Sequence, residues 1–160
     1  MKKMLFIMNP CSGTRKANKV LADILNIFNR ADYTVEVYMT ACRGDATRVA
    51  QEKADQFDII VCCGGDGTFS ETMSGILRAG ASTPIGYIPA GSTNDFAVSL
   101  GLPTNLLKAA EINEDVITAM EQFATTTNVF GVHLQADYNF TNTATKQCRY
   151  QAVYEIHYKR

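Results

Sequence analysis

The chain has 160 residues and a formal net charge of −1, and 46% of its residues are hydrophobic and 19% charged. This length and composition suit one soluble domain, or one domain and a fraction of a second, with enough apolar residues for a core. No apolar run approaches the ~20 residues of a membrane-spanning helix, and the near-zero net charge gives no reason to expect a nucleic-acid partner.

Strands and helices alternate along the first 112 residues. The predicted strands cover residues 4–8, 33–39, 58–63 and 84–88. The predicted helices cover residues 15–30, 44–54, 69–79, 93–100 and 106–112. Segment 33–39 alternates polar and apolar residues, so it is predicted to lie towards an edge of the sheet. The alternation of elements predicts an α/β fold with an open, doubly wound parallel sheet.

The first predicted strand runs into a small, polar turn at residues 9–13, Asn-Pro-Cys-Ser-Gly. Residues 1–30 carry six Lys or Arg and one acidic residue. A local cationic excess beside a turn suits an anionic ligand. When this segment is taken alone, an ordinary solvated helix face is the better explanation of the same lysines.

The third predicted strand is followed by a glycine-rich turn at residues 64–68, Gly-Gly-Asp-Gly-Thr. Glycine lets the chain turn sharply and bring backbone N–H groups against a phosphate. The Asp66 carboxylate can lie near a nucleotide-bound metal ion, and the Thr68 hydroxyl can donate to a phosphate oxygen. A glycine-rich hairpin or a simple helix cap is the alternative.

The fourth predicted strand leads into residues 89–97, Pro-Ala-Gly-Ser-Thr-Asn-Asp-Phe-Ala. Because the carboxyl ends of parallel strands gather at one edge of a sheet, all three turns are expected at a common ligand-binding edge. Helix capping is the alternative role for Asn94 and Asp95.

These three segments, in their order and spacing, resemble the diacylglycerol kinase catalytic-domain family, which includes sphingosine and ceramide kinases. The matching residues are 9–13, 64–68 with Glu71, 89–97 and, more weakly, Thr40 with residues 44–46. The glycine-rich turn alone is also similar to NAD kinases and phosphofructokinases, whereas residues 89–97 resemble the lipid-kinase version. The resemblance covers residues 1–112 and implies a nucleotide-binding domain of the phosphofructokinase and NAD-kinase type.

The resemblance implies the ATP-binding portion of a lipid kinase, which transfers the γ-phosphoryl of ATP to a lipid hydroxyl such as that of diacylglycerol. It also implies Mg²⁺ as cofactor. Asp66 is expected as the metal-associated catalytic carboxylate, and Asp95 is expected to orient the phosphate network or the acceptor hydroxyl. The expected nucleotide-binding residues are Asn9, Ser12, Gly13, Thr40, Gly64, Gly65, Gly67, Thr68, Glu71, Ser92 and Asn94. A stand-alone nucleotide-binding module without turnover is the alternative.

The cysteines favour a reducing, cytoplasmic location, and the family resemblance implies that the lipid substrate is reached at a membrane surface. They number five, and no CxxC pair occurs among them. Cys62 and Cys63 lie in a predicted buried strand and are interpreted as small core residues. Cys11 lies in the first turn, where filling space is favoured over chemical modification.

In residues 113–160 we find no motif that matches the start of the family's second domain. In the family a larger β-rich domain follows and supplies the general base, for which the acids of this segment offer no candidate. We therefore expect little or no lipid phosphorylation by these 160 residues alone.

This tail is predicted to contain a helix at 116–123, strands at 129–134 and 151–158, and a loop at 141–145. A β-ribbon, an unusual cap and sequence from an altered reading frame are the three interpretations. The free edge of strand 151–158 favours association, so a homodimer is also considered.

Overall fold

The computed structural model describes residues 2–99, 101–113, 129–136 and 152–158. Its strands are β1 Lys2–Met8, β2 Tyr33–Met39, β3 Ile59–Gly64, β4 Ile85–Pro89, β5 Val129–Ala136 and β6 Ala152–Tyr158. Its helices are α1 Lys16–Arg30, α2 Asp45–Lys53, α3 Asp66–Ala79, α4 Asp95–Ser99 and α5 106–113, with a 3₁₀ turn at Ala54–Gln56. The chain divides into two compact units, Met1–Ile117 and Thr118–Arg160.

The first unit is built on a parallel sheet with the strand order β2-β1-β3-β4. This confirms the predicted α/β fold with a parallel sheet, and β2 lies at an edge as its alternating pattern indicated. Strand β1 is central, with Met8 paired to Met39 on one side and to Cys63 on the other. The strand order reverses between β1 and β3, because the chain adds β2 on one side of β1 and then β3 and β4 on the other. Ligands bind at such a point in open α/β folds.

Helices cover both faces of this sheet, which is why its central strands are continuously apolar. On one face Met4 and Phe6 pack against Ile24 and Phe28 of α1. On the opposite face the residues from β1, α2 and α3 form a second cluster, which contains Leu5, Ile7, Ala46, Val49, Ala50 and Ile76. The turns after β1 and β3 therefore lead to helices on opposite faces, and a crevice opens between them.

The predicted elements differ from the observed ones by one or two residues at most ends, and by more at the start of α3. This helix begins at Asp66 rather than at the predicted residue 69. Gly65 is extended, with φ −88° and ψ −179°, and its carbonyl accepts the Phe69 N–H at 3.1 Å. Residues 66–68 are thus the first turn of a helix rather than part of a loop.

The second unit contains an antiparallel pair, in which Val132 of β5 lies opposite Ile156 of β6. The register shifts by one residue between Val129 and Gly131. Both strands fall where the sequence predicted strands, and their pairing agrees with the β-ribbon interpretation. The predicted helix 116–123 and loop 141–145 lie outside the described residues. Within the described part of the chain, no helix is long and apolar enough to cross a membrane.

Candidate active site

A cleft of about 670 Å³ opens at the carboxyl edge of the parallel sheet. Its size is in the range of small-molecule sites. The turns after the four parallel strands supply its walls. The lining residues are Asn9, Cys11, Ser12, Gly13, Thr40, Ala41, Cys42, Arg43, Gly65, Gly67, Thr68, Ser70, Glu71 and Gly91.

The Asn9 side chain ties the turn after β1 to the start of α3. Its Nδ2 donates to Thr68 Oγ1 at 3.2 Å, and its Oδ1 accepts the Cys11 N–H at 2.9 Å. Its own backbone N–H donates to the Cys63 carbonyl at 3.0 Å. Because the Thr68 oxygen accepts from Asn9, the hydroxyl proton of Thr68 remains to be donated to a ligand.

The N-terminus of α3 faces the cleft through small residues. The first N–H groups of an α-helix have no acceptor within their own helix, and they carry the positive end of its dipole. The Gly65 N–H donates to Ser12 Oγ at 3.3 Å, whereas a Cβ on Gly67 would meet nothing within 4 Å. The turn thus leaves open space against helix N–H groups, the arrangement that binds phosphate.

The turns after β3 and β4 meet backbone to backbone. A Cβ on Gly91 would lie 2.6 Å from Gly65 Cα. Asn94 holds this contact in place, since its Oδ1 accepts the Gly91 N–H at 2.8 Å and its Nδ2 donates to the Gly91 carbonyl at 2.9 Å. The Asn94 amide is 7% exposed and adopts a left-handed φ of 52°, so it shapes the turn from within.

Asp66 links α3 to α4. Its Oδ2 accepts the Asp95 N–H at 3.0 Å, and its Oδ1 accepts the Phe96 N–H at 3.1 Å. Its Oδ2 also accepts from Thr93 Oγ1 at 3.4 Å. The Asp66 carboxylate thus caps α4, which its negative charge stabilises. The Asp95 carboxylate is exposed and has no hydrogen-bond partner among the described residues.

Glu71 fixes the turn after β2. Its Oε2 accepts the Gly44 N–H at 2.9 Å, and its carbonyl accepts from Thr47 Oγ1 at 3.0 Å. Within that turn the Asp45 carboxylate accepts the Ala41 N–H at 2.8 Å. This hydrogen bond, together with the Arg48 guanidinium, holds the pKa of Asp45 below its ordinary value. Asp45 is therefore an anion that closes its own turn.

An aromatic cluster packs against the turn after β4. The Phe69 ring centroid lies 4.5 Å from that of Tyr87 and 4.4 Å from that of Phe96. Burial, with the nearby Asp66 charge, raises the pKa of the Tyr87 phenol above its ordinary value. This packing fixes Phe96, whose N–H binds Asp66, and so connects the core to the turn.

The structure brings eight of the expected nucleotide-binding residues to the wall of the cleft. They are Asn9, Ser12, Gly13, Thr40, Gly65, Gly67, Thr68 and Glu71. Gly64, Asp66, Ser92, Asn94 and Asp95 belong to the same turns but are not among its lining residues. The Asp66 carboxylate accepts the backbone N–H of Asp95, and the catalytic and ligand-binding roles of all these residues stay predictions.

Sequence reasoning missed six lining residues, which are Cys11, Ala41, Cys42, Arg43, Ser70 and Gly91. Gly91 lies within the matched segment 89–97, and its place next to a strand end was a usable signal. Arg43 lies between Thr40 and the weakly matching residues 44–46, and it adds a cation to the wall. Ala41 and Cys42 carried no such signal, because only the folded turn brings them to the cleft.

The residues present fit a nucleotide with Mg²⁺. Among the described residues, no cluster of three or more His, Cys, Asp or Glu side chains forms a metal cage. Mg²⁺ is commonly held by one or two carboxylates together with substrate phosphates and water. Asp66 accepts three hydrogen bonds, which leaves a carboxylate some capacity to bind a water on the metal.

Comparison with known proteins identifies the family. The family model described as "Diacylglycerol kinase catalytic domain" matches residues 3–125. The chain belongs to this family. The match confirms the resemblance carried by the three motif segments, and it extends beyond residue 112.

Individual members of the diacylglycerol kinase family agree with this assignment. A diacylglycerol kinase of Bacillus subtilis is 43% identical over 113 residues, which are 69% of this chain and 37% of the relative. One of Staphylococcus haemolyticus is 33% identical over 139 residues, 86% of this chain and 42% of the relative. A crystal structure of a diacylglycerol kinase from Bacillus anthracis superposes with a TM-score of 0.66 at 33% identity, covering 71% of this chain and 39% of that one. This chain therefore spans well under half the length of these relatives.

Proposed function

We propose that this chain is the ATP-binding portion of a cytoplasmic lipid kinase that transfers the ATP γ-phosphoryl to a lipid hydroxyl at a membrane surface. Diacylglycerol is the acceptor named by the relatives. The observation that carries the proposal is the convergence of four strand-end turns on a cleft faced by the N-terminus of α3.

Residues of the cleft and of the turns beside it have separate roles in this proposal. The α3 N–H groups and the Thr68 hydroxyl bind the phosphates, and the Arg43 guanidinium adds positive charge at the wall. Asn9 and Ser12 hold the first turn against α3. Asp66 would hold Mg²⁺ beside the phosphates, and Asp95 would orient the acceptor hydroxyl. The metal ion, when bound, neutralises phosphate charge as the phosphoryl group moves.

A stand-alone nucleotide-binding module is the second candidate function. It is kept because the observed cleft accounts for nucleotide binding alone, and these residues match only 37% and 42% of the lengths of the relatives. Both candidates require the same nucleotide site, so nucleotide binding does not separate them. An assay with ATP, Mg²⁺ and diacylglycerol separates them when it shows turnover, which only the kinase allows. Absence of turnover is expected both of the module and of the ATP-binding portion of a kinase tested alone.

The first prediction concerns Mg²⁺-dependent nucleotide binding. Asp66→Asn keeps the size of the side chain and one oxygen for the α4 cap but removes the charge that attracts the metal. Calorimetry measures the affinity for ADP with and without Mg²⁺. The gain in affinity that Mg²⁺ gives should be at least about tenfold larger for the wild-type chain than for this variant, a difference of roughly 1.4 kcal/mol.

The matched control is Glu52→Gln, which removes a carboxylate outside the cleft. Glu52 is exposed and pairs with Arg48 at 3.0 Å on the surface of α2. The nucleotide affinity of the Glu52→Gln variant should equal that of the wild-type chain, both with and without Mg²⁺. A folded wild-type chain that binds no Mg²⁺-nucleotide contradicts the proposal.

A further inference from the structure

Two exposed thiols line the same cleft. Cys11 and Cys42 are both free and exposed, and each belongs to the wall of the 670 Å³ space. The sequence favoured a space-filling role for Cys11, but the structure places it at the surface. Neither thiol has a part in the proposed nucleotide chemistry.

The sheet brings these two cysteines to neighbouring turns. Met8 and Met39 are register partners on β1 and β2, and each cysteine follows its methionine by three residues. The Thr40 N–H donates to the Met8 carbonyl at 2.9 Å, so the two turns leave the sheet side by side. The pairing thus directs two chain segments, each with one thiol, into one cleft.

The other two cysteines of the first unit are protected. Cys62 and Cys63 have no exposed surface on β3. Burial raises the pKa of Cys63 to about 12 and that of Cys62 further. Because the thiolate is the reactive form, these two residues are inert towards reagents in water. The fold therefore separates an accessible pair from a buried pair.

We propose that Cys11 and Cys42 form a covalent modification site for low-molecular-weight disulfides, and that an adduct on either thiol closes the cleft to nucleotide. The second half of this proposal rests on the proposed function. A tripeptide adduct such as glutathione extends into the space beside Ser12 and Gly65, and its carboxylates compete with phosphate for the helix N–H groups.

The reaction is thiol–disulfide exchange. The cysteine thiol loses its proton to solvent, and the thiolate attacks one sulfur of the small disulfide. A protein–glutathione S–S bond forms as the S–S bond of the reagent breaks, and the departing glutathione thiolate takes up a proton. An excess of reduced thiol reverses the exchange, so the closure is reversible.

The modification site is tested by mapping adducts on the full chain. The wild-type protein is treated with glutathione disulfide, digested with trypsin and analysed by mass spectrometry. Arg15 and Arg43 separate the peptides of Cys11, Cys42 and the Cys62–Cys63 pair. Adducts should form on Cys11 and Cys42 while the Cys62–Cys63 peptide stays unmodified. Equal modification of all three peptides overturns the site.

The closure is tested by calorimetry with Mg²⁺-ADP before treatment, after treatment and after reduction with dithiothreitol. Treatment should weaken nucleotide binding at least about tenfold, and reduction should restore it. The control is Cys11→Ser with Cys42→Ser, whose treated and untreated samples should have equal affinity. This variant retains Cys148. If treatment lowers its nucleotide affinity, the loss does not come from Cys11 or Cys42, and the proposal is overturned.

The two proposals fail in different ways. If the untreated wild-type chain binds no nucleotide, the proposed function fails, and the adduct map still decides whether the two thiols form a modification site. If untreated protein binds nucleotide and fully modified protein binds it equally well, the closure fails and the proposed function stands.

Discussion

Single residues set how closely the turns of the site approach each other. A Cβ on Gly13 would lie 2.5 Å from the Ala90 carbonyl oxygen, and Gly13 also has a left-handed φ of 51°. A Cβ on Gly64 would lie 2.6 Å from the Thr68 Cβ. These positions require glycine because backbone or a buried side chain occupies the space of a side chain. The glycines that the sequence assigned to phosphate binding thus also hold the turns together.

The second prediction concerns Gly91→Ala. The new methyl would meet Gly65 Cα at 2.6 Å and Asn94 Oδ1 at 2.7 Å, so the two turns must separate. We expect the free energy of unfolding to fall by roughly 1–3 kcal/mol, and Mg²⁺-ADP binding to weaken. Urea denaturation and calorimetry measure the two effects.

The control for this substitution is Gly67→Ala in the first turn of α3. Nothing lies within 4 Å of the new Cβ, and alanine is a better helix former than glycine. Its stability should be unchanged or higher by about 0.5–1 kcal/mol. A Gly91→Ala variant as stable as Gly67→Ala would show that the contact between the turns is not needed.

At the scale of elements, close packing of α2 on α3 positions the turn after β2. Gly75 lies at the crossing of these helices, where a Cβ would come 2.4 Å from the Thr47 carbonyl oxygen and 2.7 Å from Ala50 Cβ. Thr47 also donates to the Glu71 carbonyl, so the same contact holds Glu71 near Gly44. The helix crossing therefore helps to hold the turn after β2, which forms one wall of the cleft, in place.

The third prediction is that Gly75→Ala separates α2 from α3. Backbone on α2 has little freedom to move, so the free energy of unfolding should fall by roughly 1–3 kcal/mol despite the gain in helix propensity. The neighbouring substitution Ser74→Ala, on the same helix, should be close to neutral. Equal midpoints of urea denaturation for both variants would contradict the close-packed crossing.

At the scale of the whole molecule, the chain contains two units of different character. The first unit holds the four-stranded sheet and every residue of the cleft. Asn113 belongs with it, because its side chain accepts the Tyr87 N–H at 3.1 Å and donates to the Tyr87 carbonyl at 3.0 Å. This pair of hydrogen bonds satisfies the outer edge of β4 at that position. The division of the chain at residue 112 stays a prediction.

The fourth prediction concerns limited proteolysis of the full chain. Residues 113–160 are rich in Thr, Asn and Gln and offer little apolar area to offset the entropy of ordering. Protease should therefore cut first between about residues 113 and 145, leaving a core that still binds nucleotide. Mass spectrometry of the early fragments identifies the cut. A tail that survives as long as the core, and whose removal unfolds the protein, would be integral to the fold.

The order of elements, the parallel sheet, the edge position of β2 and the family were all predictable from the sequence. These follow from local patterns, since apolar runs, periodicity and short motifs are readable without knowing which strands pair. Eight of the residues that the family resemblance assigned to nucleotide binding line the observed cleft, which agrees with strand ends of a parallel sheet sharing one edge; their ligand contacts stay predictions.

The contacts of individual side chains could not be predicted from the sequence, because they depend on how distant segments pack. The sequence shows the acidity of Asp66 but not that its carboxylate caps α4, because its partners at Asp95 and Phe96 are some 30 residues away along the chain. The start of α3 at Asp66, rather than at residue 69, depended on the extended backbone of Gly65. Cys11 and Cys42 are brought to one cleft by the pairing of β1 with β2, which no local pattern encodes.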